Sequence, residues 1–272
     1  MGLIATLLPL LAAATAAGNA CTPIAGLDEV LSTDAKYVVL GEIHGTVESP
    51  AIFADAVCQS AAHGPVTVAL ELPETDRASL DAFLASDGSP EARAAFLGLP
   101  TWNAPMKDGR TSEAFMAMIE RLRTLVQAGR VRSVVPFQPV FGPDNGFSSA
   151  RYEQRMADLI VRESSPDGRT LVLVGNSHAR LTEVNFRDES YLPMAAHLPS
   201  DTTVTLYIVG NGGSSWNCQR GSDGEIACAE HPVGSPPRPF ERSVELEPIM
   251  DGAYSGVLGI GGDYSASPPA NP

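Results

Sequence analysis

Unbroken apolar runs rich in β-branched residues alternate along this chain with segments of helical spacing, and that alternation limits the fold more than any other feature. KYVVLGEIH, VTVALELP, VRSVVPFQPV, TLVLVGNSHA and TTVTLYIVGNGG read as strands. ESPAIFADAVCQSAAHG has helical spacing of Ile52, Ala56, Val57 and Ala61 before a terminating glycine. ETDRASLDAFLAS, SPEARAAFLGL and TSEAFMAMIERLRTLVQAGR follow the second strand as helices, each introduced by a Ser, Thr or acidic residue suited to capping. SSARYEQRMADLIVRESS is a further helix. Strands that lack polar alternation are buried on both sides. The pattern therefore predicts an α/β fold, a mainly parallel sheet with helices on both faces and a helical insertion between strands two and three.

Beyond Gly210 the composition shifts to Gly, Pro and Ser. NCQRGSDGEIAC has a turn-forming SDG centre, so a hairpin closed by Cys218 and Cys228 is expected there. RSVELEPI is a short strand candidate and the segment from Gly256 an edge strand, with residues 263–272 a disordered Pro-rich tail. No repeat of solenoid period is present.

Residues 1–20, MGLIATLLPLLAAATAAGNA, form a short apolar stretch bounded by small residues, as in a signal peptide cleaved near Ala17 or Ala20. That predicts a secreted or periplasmic protein whose single domain occupies residues 21–262. A lipid anchor at Cys21 is the less favoured alternative, because Gly18-Asn19-Ala20 is a poor lead for it. The apolar run is too short to favour a membrane span. An even cysteine count fits an oxidising compartment, and once Cys218 pairs with Cys228, Cys21 is left for Cys58. With 18 Lys and Arg against 32 Asp and Glu, the formal charge of -14 repels phosphate backbones and anionic headgroups, so nucleic acid is not an expected partner.

Three strands end in ionisable residues. VVLGEIHG carries Glu42 and His44, VALELP carries Glu71, and LVLVGNSHAR carries His178. Ligands of open parallel sheets bind at these carboxyl ends, where loops converge and helix N-termini point inward. Residues two apart in extended chain share a face, so Glu42 and His44 can enter one pocket. Two histidines and two carboxylates suffice for a general base with its orienting acid, or for a divalent metal held by His44 and His178 with an open position. No Gly-x-Ser-x-Gly elbow is present, which disfavours a covalent serine mechanism.

The GE-x-H-G after the first strand, the ALE of the second and the later G-x-x-H resemble the superfamily that joins TIKI and TraB proteins, erythromycin esterases and ChaN-like haem-binding lipoproteins. YEQRMADLI is similar to its Arg-Asp/Glu-x-x-Met-Ala helix, with Tyr152 where the arginine stands. The resemblance spans about residues 37 to 180, and WNAPMKDGRTSEAFMAMIERL looks like the family's insertion. It implies hydrolysis of an ester or peptide bond with histidine as base and glutamates supporting it or a metal. In the ChaN branch it implies haem binding instead, for which the six tyrosines and five histidines offer axial ligands, Tyr152 falling near the expected cleft. The residues carried over are Glu42, His44, Glu71 and His178. Arg110, before a helix, is a candidate for a substrate anion, and Trp102 for a pocket wall. The reading is an exported hydrolase acting on a small-molecule or peptide substrate, with a non-catalytic haem carrier as the alternative.

Overall fold

A computed structural model describes residues 21–142, 146–186, 189–222 and 224–271. The expected signal peptide lies outside them. In chain order the elements are α1 (Leu27–Leu31), β1 (Tyr37–Glu42), α2 (Glu48–Ser60), β2 (Val66–Pro73), α3 (Arg77–Ala85), α4 (Pro90–Leu97), α5 (Glu113–Gln127), β3 (Val131–Gln138), α6 (Ser149–Glu163) and β4 (Arg169–Gly175). Two short strands follow, β5 (Val184–Phe186) and β6 (Glu189–Tyr191), then β7 (Thr203–Val209), β8 (Ser214–Arg220), β9 (Ile226–Pro232), β10 (Val244–Glu245) and β11 (Gly256–Gly259).

Seven strands form one sheet in the order β10-β11-β7-β1-β4-β2-β3. All its pairings are parallel except β10 with β11. Alternate residues of β1 show why the strands read as unbroken apolar runs. Val38 and Leu40 enter a core with α2, α3 and α5, while Tyr37 and Val39 enter a second core with α6. Side chains of a strand alternate between faces, so a strand sandwiched between two helical layers needs apolar residues at every position. Helices α3, α4 and α5 are the insertion between β2 and β3. Ser89, Ser112 and Ser148 accept from the backbone N–H groups of Ala92, Phe115 and Arg151 in the first turns of α4, α5 and α6, which fixes where these helices begin.

The chain does not lay its strands down in order. It runs from β1 past a gap to β2 and β3, then returns to insert β4 between β1 and β2. Gly175 thereby becomes the β-partner of Glu42, and Leu173 that of Leu70, one residue before Glu71. Three strand ends that are far apart in sequence are brought side by side.

Cys21 is bonded to Cys58 and Cys218 to Cys228, the latter across the β8–β9 hairpin. Among the described residues no helix is long and apolar enough to cross a membrane. Two expectations need correction. The segment from Gly256 is not at the edge: β11 lies between β7 and β10, and the two-residue β10 is the edge strand. Residues 263–271 are not a disordered tail either. Tyr264 and Ser267 are buried, and Ala266 and Pro269 make bridges to Thr46 and Ser112. The domain therefore extends to residue 271. Proline lacks an N–H but keeps its carbonyl, and Pro268 uses it to accept from the N–H of Glu113.

Candidate active site

Glu42 is the last residue of β1, and His44 follows in the turn that leads to α2. The two side chains meet, with His44 Nδ1 2.9 Å from Glu42 Oε1. His178 sits in a short 3-10 turn directly after β4. Its Nδ1 lies 2.7 Å from Oε1 of Glu153, which projects from the first turns of α6. Oε2 of Glu153 also accepts from the backbone N–H of Met194 at 2.8 Å. Each imidazole is thus held through Nδ1 by a buried carboxylate, which leaves Nε2 as the nitrogen able to act. Both Nε2 atoms face Glu71, at 3.6 Å from His44 and 4.0 Å from His178.

Glu71 is fixed from two sides. Its Oε2 accepts from the backbone N–H of Gly175 at 2.8 Å, and its Oε1 from Arg110 at 3.1 Å. Asp108 grips the same guanidinium. The carboxylates Glu42, Glu71 and Glu153 are 3%, 4% and 3% exposed, whereas His44 and His178 are 22% and 23% exposed. The acids are sealed and the imidazoles face the opening.

Two glycines permit this geometry. A Cβ on Gly175 would lie 2.8 Å from His44 Nε2, so only glycine lets β4 pass between the two acids. Gly45 has φ +73, and a Cβ there would fall 1.9 Å from the carbonyl oxygen of Trp216 in β8.

The charges set the proton affinities. Burial works against a charged His44, but the hydrogen bond it donates to Glu42 and the charge of Glu71 outweigh that and raise its pKa above 6.5. His178 is raised in the same way, with Glu153 and Glu71 outweighing burial. Burial would also raise Glu71, yet His44, His178, Arg110 and the Gly175 N–H together hold it below the usual carboxylate range. Glu42 is raised, chiefly by burial, and its Oε2 has no hydrogen-bond partner among the described residues. Glu71 is therefore held as the negative centre, and both imidazoles favour the protonated form more than a free histidine does.

No family model and no curated protein matches this chain. Solved structures do. A succinoglycan biosynthesis protein is 11% identical with a TM-score of 0.63, covering 89% of this chain and 91% of that one. The erythromycin esterase EreC in its open conformation is 13% identical with a TM-score of 0.58, covering 76% and 78%. The chain has the erythromycin-esterase fold. The type III effector HopBA1, 14% identical with a TM-score of 0.51 and covering 91% and 99%, is similar to it as well.

Within the erythromycin-esterase fold, Glu42, His44, Glu71 and His178 come together at the strand ends. Arg110 reaches the same cluster, where its guanidinium bonds Glu71 and Asp108. Trp102 does not line the site. It is 1% exposed and packs edge-on against Phe96, with ring centroids 5.5 Å apart, because the apolar faces of α3 and α4 leave a slot of its size. Glu153 is the residue the sequence reading missed. Its signal was its position: an acidic residue three before Met156 in α6, on the face that enters the core.

Among the described residues no group of three or more His, Cys, Asp or Glu is arranged to hold a metal ion. The acid between the two Nε2 atoms carries the Arg110 cation on one oxygen and a backbone N–H on the other. For haem, Tyr152 lies beside His178 with ring centroids 6.0 Å apart. Burial and the nearby Glu71 push its hydroxyl up to about 12, which opposes the phenolate that ligates iron.

Proposed function

We propose that the chain is a hydrolase that activates water against the acyl carbon of a small-molecule or peptide substrate, with His44 as general base. The observation that carries this reading is the pair of imidazoles, each buttressed through Nδ1 by a buried carboxylate, with both Nε2 atoms within 4.0 Å of Glu71. Carboxylate-oriented imidazoles are what proton transfer at neutral pH demands.

The chemistry follows from the geometry. A water at His44 Nε2 gives up its proton as its oxygen bonds to the acyl carbon, and Glu42 stabilises the imidazolium that forms. The carbonyl oxygen becomes an oxyanion, and protonated His178, kept charged by Glu153 and Glu71, offers it a hydrogen bond and positive charge. On collapse the bond to the leaving group breaks, and His44 returns the proton to the departing oxygen or nitrogen. Glu71 stays ionised and favours the charged form of both imidazoles. Arg110 and Asp108 keep it in place.

We further propose export after removal of the leader, a reading that the two disulfides support. The direct test of the activity is a panel of activated esters and short peptides offered to the wild type and to His44→Ala. Removing a general base lowers turnover about 10²–10⁴-fold. Unchanged turnover in the variant would take His44 out of the mechanism.

A further inference from the structure

Beside the imidazole cluster, at the carboxyl ends of β7 and β11, the protein holds a second cavity of about 360 Å³. Ile43, Tyr207, Pro236, Phe240, Ile249 and Val257 are among its walls, and no lining residue carries a charge. That is unusual for this molecule, whose formal charge is -14. It is also unusual for this edge of the sheet, where the neighbouring strand ends carry Glu42, Glu71 and two histidines. The volume falls at the low end of small-molecule sites, and transferring a charged group into such walls without a partner is costly. The cavity therefore selects an uncharged, apolar group.

Its location ties it to the chemistry. Ile43 stands between Glu42 and His44 in the chain and lines the cavity. Tyr207 is the β-partner of Gly41, one residue before Glu42. Its ring packs on Tyr254 at 5.4 Å, and the Tyr254 hydroxyl donates to the carbonyl of Asn176, the residue after Gly175. Tyr207 of β7 thus stands beside the end of β1 and is joined through Tyr254 to the turn after β4, which places the cavity next along the sheet from the His44 strand end.

At the rim the backbone is strained. Met250 and Asp251 have φ of 51 and 56, a left-handed conformation that non-glycine residues rarely adopt, and they hold Met250 52% exposed at the cavity. Strain of this kind persists where surrounding structure enforces it and is concentrated at ligand sites. An exposed, flexible methionine on an apolar rim suits a chain-like ligand.

We propose that this cavity is the acyl subsite of the hydrolase, receiving an uncharged aliphatic acyl chain whose carbonyl lies at His44 Nε2. The proposal rests on the hydrolytic reading above and adds the substrate class, medium-chain acyl esters or amides. Each methylene buried strengthens binding by about fourfold, so a hexanoyl or octanoyl group outcompetes acetyl by tenfold or more, on the order expected for a hydrophobic pocket.

The test compares p-nitrophenyl acetate with p-nitrophenyl octanoate in wild type, Ile249→Trp, which fills the cavity, and Phe240→Ala, which enlarges it. Calorimetric titration with octanamide and acetamide reads binding without turnover. Expected are a wild-type kcat/KM favouring octanoate about tenfold or more, loss of that preference in Ile249→Trp, read as the ratio of octanoate to acetate kcat/KM, and its retention in Phe240→Ala. Octanamide binding that Ile249→Trp abolishes and His44→Ala retains supports the subsite even if no ester is hydrolysed, in which case the hydrolytic reading alone fails. Acetate turnover with no chain-length preference, or octanamide binding unaffected by Ile249→Trp, overturns the subsite and leaves the hydrolytic reading standing.

Discussion

Glu153 shows how a residue that YEQRMADLI contains, at the Asp/Glu position of the motif it resembles, becomes half of a dyad in three dimensions. Its carboxylate supports His178 from another element, 25 residues away in sequence, so only the packing of α6 against the end of β4 could reveal the pair. Glu42 and His44 were legible because extended chain puts residues two apart on one side. Trp102 misled for the opposite reason: an aromatic in a loop between helices reads equally as pocket wall or as core, and only the apolar faces around it decide. The pairing of Glu153 with His178 can be tested. Replacing Glu153 with Gln removes the negative charge that raises His178, so the imidazole pKa falls towards 6.5 and less of it is protonated at neutral pH. Ring-nitrogen NMR titration reads that shift, and the accompanying rate loss is expected at neutral pH. A titration curve unchanged from wild type would remove Glu153 from the site.

Among the elements, the terminal segment and β4 differ most in how readable they were. The apolar strands announced themselves by composition, but nothing local in β4 says that it inserts between β1 and β2. The Pro-rich end was read as disordered because proline and small residues cannot nucleate a core, whereas its order comes from neighbours. Ser267 N–H donates to the carbonyl of Gly45 at 2.8 Å, Ala270 N–H donates to that of Thr111 at 3.0 Å, and Ser267 Oγ accepts from Ala114 N–H at 2.9 Å. The segment thus ties the loop after His44 to the loop after Arg110. Deleting residues 266–272 while keeping the buried Tyr264 is expected to lower kcat more than it lowers the urea midpoint. Each lost backbone bond is worth only about 1 kcal/mol, while a small displacement of Arg110 from Glu71 disturbs both imidazoles. Parallel kinetics and denaturation on the truncated protein check this. Full activity in the truncated protein would mean the strap has no part in holding the site.

At the scale of the whole molecule, a doubly covered sheet supplies the rigid frame and the Cys21–Cys58 bond fastens the described N-terminus to α2. The bond closes a segment with a sequence separation of 37, for which loss of unfolded-chain entropy predicts about 3–4 kcal/mol of stabilisation. Cys58→Ser is expected to lower the denaturation midpoint accordingly without altering the site, which lies at the other end of the strands. Denaturant melts of the variant and of reduced wild type measure it, and a variant as stable as the oxidised protein would contradict the estimate. The frame matters because it holds two buried acids against two imidazoles, and the central claim is that these pairs tune a water-activating base. The most direct measurement is the pH dependence of kcat/KM in wild type and Glu42→Gln. His44 must be neutral to accept a proton, and Glu42 and Glu71 raise its pKa, so wild-type activity rises with pH along a limb centred above 6.5. Glu42→Gln removes one of the two carboxylates, so that limb moves to lower pH while the maximum rate falls. A limb at the same pH in both proteins, or one that moves upward in the variant, would contradict the account.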